Sequence, residues 1–125
     1  MLAGIVVMKM IIAIIRPSKL SSVKSALTEN SFTGITVTPV KGCGSQRGTV
    51  ERYRGSEYIV NLIDKIEIKV IVSDENLDRA IKIIMDTAKT GEFGDGKIFV
   101  VNIEEAIRIR TNERGQAALE TDVLR

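Results

Sequence analysis

The densest chemistry in this 125-residue chain lies at Gly91 to Lys97, which reads Gly-Glu-Phe-Gly-Asp-Gly-Lys. Glycines let a backbone approach an anion closely, and a lysine beside exposed N–H groups adds a full positive charge. The letters fit the GxxxxGK of a P-loop. However, Ile98 stands where that motif places a magnesium-binding Ser or Thr, and a helical pattern feeds the glycines while a strand pattern leaves them. A Walker-type NTPase is therefore set aside, and a plain helix-to-strand turn is the competing reading. Arg108 and Arg110 stand two apart on an expected short strand, Ile107 to Arg110, so their guanidinium groups would share a face and suit a polyphosphate. The alternative is a solvated edge strand whose charges discourage pairing. Gly42 to Gly48 resembles a dinucleotide fingerprint, but its last glycine is one position late and a loop follows, so that reading is rejected. Cys43 has no histidine to activate it and reads as a small buried apolar residue.

These residues need elements to position them. Met10 to Ile15 is a β-branched run ended by Arg16-Pro17 and predicts a buried strand. Pro17 and Ser18 open a helix with apolar Leu20, Val23, Ala26 and Leu27 at helical spacing, stopping near Asn30-Ser31. Ile35 to Val40 predicts a second strand. From Gly42 to Glu57 the chain carries four glycines, several arginines and few apolar side chains, so a long functional or disordered loop is expected. Tyr58 to Val72 resumes as one long β pattern, Ser73 is a candidate N-cap, and Leu77, Ala80, Ile81, Ile84, Met85 and Ala88 mark a second amphipathic helix. Lys97 to Asn102 is a strand, and residues 111–125 read as a polar tail. The order predicts a ferredoxin-like α+β fold, βαββαβ, in a single domain spanning 1–125. Helices would cover one face of an antiparallel sheet, and neighbouring subunits would cover the other.

Composition narrows the function classes. Lys and Arg total 18 against 16 Asp and Glu, so there is no general field for nucleic acid or membrane. Histidine is absent, which removes the usual base near neutral pH, and one cysteine excludes an intramolecular disulfide. Both facts fit cytoplasm. The apolar start is broken by Lys9 and lacks a basic lead and a small-residue cleavage site, so no signal peptide is expected. Met8 or Met10 would serve as an alternative start, with 1–7 as a short extension.

Three segments together resemble the PII nitrogen-regulatory family from Met8 to Thr111. Tyr53-Arg54-Gly55-Ser56-Glu57-Tyr58 is similar to the signature in that family's long T-loop, placed here at 42–57. The stretch from Thr90 to Val100 is similar to its second signature, and Arg108-Ile109-Arg110-Thr111 follows at the expected place. The resemblance implies a homotrimer with nucleotide sites in the clefts between subunits. There Gly94, Asp95, Gly96 and Lys97 of one chain would hold ATP or ADP phosphates with Arg108 and Arg110. Thr36, Gly44, Ser45 and Gln46 would complete the nucleotide site. Gln46 would also coordinate Mg²⁺ and 2-oxoglutarate, with Lys65 and Arg16 on the carboxylates of 2-oxoglutarate. Ligands would select the T-loop conformation that partners recognise. The implied partners are ammonium transporters, glutamine synthetase and its modifying enzymes, and nitrogenase regulators. A transporter partner would bring a cytoplasmic protein to the membrane. Tyr58 matches a uridylylation site and Ser56 a phosphorylation site of some members, although a loop tyrosine or serine is more often merely solvated.

The chain departs from the family at three places. Ser45 replaces an arginine that reaches the ATP γ-phosphate in many members, Cys43 a common phenylalanine, and Lys69 a glutamate near the adenine, which bears on ATP affinity and on discrimination from ADP. A nucleotide-only regulator blind to 2-oxoglutarate is the alternative reading. A small ATP-using enzyme would need a base near the glycine turn, for which Asp95 is the only candidate. An RNA-binding module would stack bases on strand aromatics, and this chain has no Trp and only 4% aromatic residues.

Overall fold

The computed structural model describes residues 7–43, 49–53, 56–60 and 62–120, with backbone alone for 49–53 and 56–60. Four strands, β1 (Met8–Ile15), β2 (Ile35–Gly42), β5 (Ile63–Ser73) and β6 (Lys97–Ile103), form an antiparallel sheet in the order β2-β5-β1-β6. β3 (Thr49–Tyr53) and β4 (Ser56–Val60) form a separate two-stranded hairpin. α1 (Leu20–Glu29) and α2 (Leu77–Ala88) pack on one face, and this is the ferredoxin-like arrangement expected.

Alternation along the strands decides which face is filled. Ile11, Ala13 and Ile15 of β1 meet Val70, Ile68 and Ile66 of β5 in register, and the first five of these are buried. Each helix completes the layer with a stripe at i, i+4 spacing, Val23 and Leu27 on α1 and Ala80, Ile84 and Ala88 on α2. Pro17 lies in the 3-10 turn that leads into α1, where its missing N–H is harmless. The end of α1 is closed by the Asn30 side chain, which donates to the Ala26 carbonyl at 2.8 Å, and by Ser31 in the left-handed region at φ 72°. The opposite face of the sheet carries Ile12, Ile14, Phe99 and Val101, of which Phe99 remains 51% and Val101 39% exposed.

Four local expectations are corrected. The segment after β2 is not without structure: β3 and β4 pair across Thr49↔Val60 to Tyr53↔Ser56, and the long β pattern from Tyr58 is divided before Ile63. In a two-stranded ribbon the inward-facing backbone groups pair across the hairpin and the outward-facing ones are left to water, so its pairing does not depend on burying an apolar face. Ile107 to Arg110 is no strand. Ile107 makes one isolated bridge to Arg114, and residues 109–111 turn. The tail contains a short helix, α3 (Gln116–Leu119). Ser73 makes no side-chain cap bond to the helix backbone, and its hydroxyl instead accepts from Asn76 at 3.0 Å. Among the described residues no helix is long and apolar enough to cross a membrane.

Candidate functional site

The loop from Thr90 to Gly96 leaves α2 and enters the edge strand β6, and its shape follows from three glycines at positive φ: Gly91 at 89°, Gly94 at 95° and Gly96 at 100°. Gly96 is further constrained by contact, since a Cβ there would lie 1.7 Å from the Ile14 carbonyl oxygen. Only glycine lets the loop press against the end of β1.

Asp95 organises this loop. Its carboxylate accepts from the Thr90 N–H and the Gly91 N–H, each at 2.9 Å, from the Thr90 hydroxyl, and from Arg16 Nε at 3.1 Å. Foremost the Thr90 hydroxyl and then the Thr90 N–H, with lesser help from the Gly91 N–H and Arg16, hold the carboxyl far below the usual carboxylate range, and burial opposes them more strongly than either of the last two contributes. A carboxylate so fully engaged is a poor general base at any ordinary pH, which removes the one candidate base near the glycine turn. Thr90 was not singled out in the sequence. Its spacing of five from Asp95 is the trace it leaves there.

Two cations close the loop from the sheet side. Arg16, just past β1, donates through Nη2 to the Phe93 carbonyl, and Lys65 on β5 donates through Nζ to the Gly94 carbonyl. Burial, and secondly the neighbouring Arg16 charge, push the Lys65 ammonium below its ordinary value, with Asp95 opposing. A further anion would relieve this crowding of positive charge. Lys65, Gly94, Asp95, Gly96 and Lys97 line one open cleft of about 610 Å³, whose rim includes Gly42, Cys43 and Phe93. Cys43 is exposed, not buried as expected, because the chain leaves the sheet at Gly42 before any core could cover it.

The remaining site residues lie elsewhere. Thr36 on the edge strand β2 and Arg108 line a second cleft of about 640 Å³ together with Lys69. Lys69 pairs with Glu67 on its own strand at 3.3 Å. Arg110 is exposed in the turn that replaces the expected strand. Arg108 is held by Glu113, at 2.9 Å from Nη1, a partner five residues downstream that sequence reasoning missed. The fold thus joins Arg16, Lys65 and Gly94 to Lys97 and keeps Thr36 and Arg108 apart from them. Gly44, Ser45 and Gln46 lie outside the described residues, as do the side chains of Ser56 and Tyr58. Among the described residues no group of three or more Cys, Asp or Glu is arranged to hold a metal.

Comparison with known proteins gives a consistent result. The profile of the family described as Nitrogen regulatory protein P-II matches residues 8–113. The P-II proteins of Porphyra purpurea and Bradyrhizobium diazoefficiens are each 55% identical over 112 residues, spanning 90% of this chain and 100% of theirs. Among solved structures, Arabidopsis thaliana PII bound to citrate is similar with a TM-score of 0.76 and 30% identity, covering 94% of both chains.

Proposed function

Because this chain belongs to the P-II nitrogen regulatory family, whose members are signalling regulators and not enzymes, we propose that it is a cytoplasmic homotrimeric sensor of ATP, ADP and 2-oxoglutarate. The observation that carries this reading is the division of the site. The glycine loop with Lys97 lines one cleft, and Thr36 with Arg108 lines another. A phosphate held by both sets would be reached from two copies of the chain. The exposed Phe99 and Val101 favour the same association, since a second chain would cover them.

Within such a cleft the left-handed glycines would offer backbone N–H groups to phosphates, Lys97 would supply charge, and Arg108 and Arg110 of the neighbouring chain would add guanidinium donors. Asp95 would act through the loop, not on the nucleotide, because a carboxylate repels phosphate. Arg16 and Lys65 would take the carboxylates of 2-oxoglutarate. The citrate on the Arabidopsis PII is also a polycarboxylate, which fits a family fold that receives such anions. Mg²⁺ would rely on Gln46 and the nucleotide's own phosphates, and would supply the charge that couples the two ligands. The ligand state would then select the conformation of the 42–57 loop seen by an ammonium transporter, glutamine synthetase or its modifying enzymes.

Calorimetric titration of ATP and ADP, each with and without Mg²⁺ and 2-oxoglutarate, tests the reading. We expect 2-oxoglutarate to bind only with MgATP present, and Lys65→Ala to abolish that coupling while ATP still binds. ATP binding without any response to 2-oxoglutarate would establish the nucleotide-only alternative, and the ratio of ATP to ADP affinity reads the effect of Ser45 and Lys69. No nucleotide binding would refute both.

A further inference from the structure

The segment after β6 folds back on the second cleft. The Arg108 N–H donates to the Glu113 carbonyl at 2.9 Å and the Asn112 N–H donates to the Arg108 carbonyl at 2.8 Å, a tight turn with Asn112 at φ 64°. The Arg108 side chain, only 15% exposed, pairs through Nη1 with Glu113 and donates through Nη2 to the backbone carbonyls of Ala118, at 3.5 Å, and Glu120. Gln116, Ala118, Leu119 and Glu120 wall the same cleft as Thr36 and Arg108. A guanidinium has a fixed fork of N–H groups, and those given to the tail are withheld from any other acceptor.

Resting on the nucleotide reading above, we propose that the segment from Gln116 to Glu120 is an autoinhibitory strap, which occupies the Nη2 donors of Arg108 until a phosphate displaces it. The strap is built to be weak. α3 is one turn of four residues with none buried, and it holds Arg108 with neutral carbonyls. A phosphate gives the guanidinium a full counter-charge and a bidentate acceptor where the carbonyls offer only dipoles, so a phosphate wins the exchange, though with reduced net affinity. Glu113 lies within the tight turn and remains as the fixed partner on Nη1. By linkage, a nucleotide that displaces the strap must free it, and removing the strap must favour the nucleotide.

The test compares ATP titrations of the full chain and of a chain ending at Gly115, with hydrogen exchange followed over residues 115–120 of the full chain. Loss of the competing bonds should tighten ATP binding about tenfold. Saturating ATP should speed amide exchange in the strap. Equal or weaker ATP binding by the shortened chain, when the full chain binds ATP, overturns the strap and leaves the nucleotide reading intact. Slower or unchanged exchange on adding ATP overturns it as well, and that measurement decides the matter if the shortened chain does not fold. Failure of both chains to bind ATP refutes the nucleotide reading, and the strap falls with it.

Discussion

Replacing Gly96 by alanine should both destabilise the protein and weaken nucleotide binding. At φ 100° any L-residue is strained, at a cost of about 1–2 kcal/mol. The added Cβ would also sit 1.7 Å from the Ile14 carbonyl oxygen and 2.8 Å from its carbon, where unstrained contact begins near 3.5 Å. Both atoms are backbone of β1, so no side-chain rotation relieves the overlap. The loop must lift away, and the pair Ile14↔Lys97 that starts the β1–β6 ladder is the first to be lost. A forfeited backbone hydrogen bond adds about 0.5–1.5 kcal/mol, bringing the total to about 1.5–3.5 kcal/mol. Thermal unfolding at matched protein concentration should show the midpoint lowered by about 10 °C. Gly34→Ala is the control, because its Cβ would meet nothing within 4 Å, and its midpoint should stay within a degree or two. ATP affinity should fall in Gly96→Ala through displacement of the loop's N–H groups. An unfolding midpoint and ATP affinity both equal to those of the parent would refute the argument that this loop requires glycine against β1.

Asp95→Asn tests the loop's electrostatic latch. The folded-state carboxyl lies far below its ordinary value of 3.8, so its stabilisation is complete above that value and fades as pH falls through the folded one. The variant should therefore be less stable at pH 7, with the gap from the parent closing in strong acid; a gap independent of pH in urea unfolding would contradict the latch. Ile84→Ala removes a fully buried side chain of the α2 stripe and should cost about 2–5 kcal/mol in urea unfolding. A loss well under 1 kcal/mol would mean that the helix layer repacks freely, contrary to the buried stripe seen here.

Much of the scaffold was legible because its signals are local. β1 and β6 appear as β-branched runs, and α1 and α2 as apolar stripes at i, i+4 spacing, since both periodicities express burial against one layer. Gly94 to Lys97 was legible for a similar reason, as three glycines within six residues admit few conformations besides a tight turn. Arg108 shows where such inference ends. Its i, i+2 partnership with Arg110 presumed a strand, yet a lone bridge from Ile107 to Arg114 and a turn around Asn112 stand there instead. Short polar segments carry almost no periodicity, so their conformation is decided by what they reach across space.

What the sequence determined by itself, then, is the order of the four sheet strands and the two long helices, the faces they bury and the glycine turn, together with a family resemblance spanning nearly the whole chain. Tertiary structure alone decided that Asp95 is engaged by Arg16, that Cys43 is exposed, and that the tail lies on Arg108. It also decided that Thr36 and Arg108 stand apart from the glycine loop. Each of these depends on contacts between residues distant in the chain or on the absence of a covering layer, and neither is encoded in the spacing of neighbours.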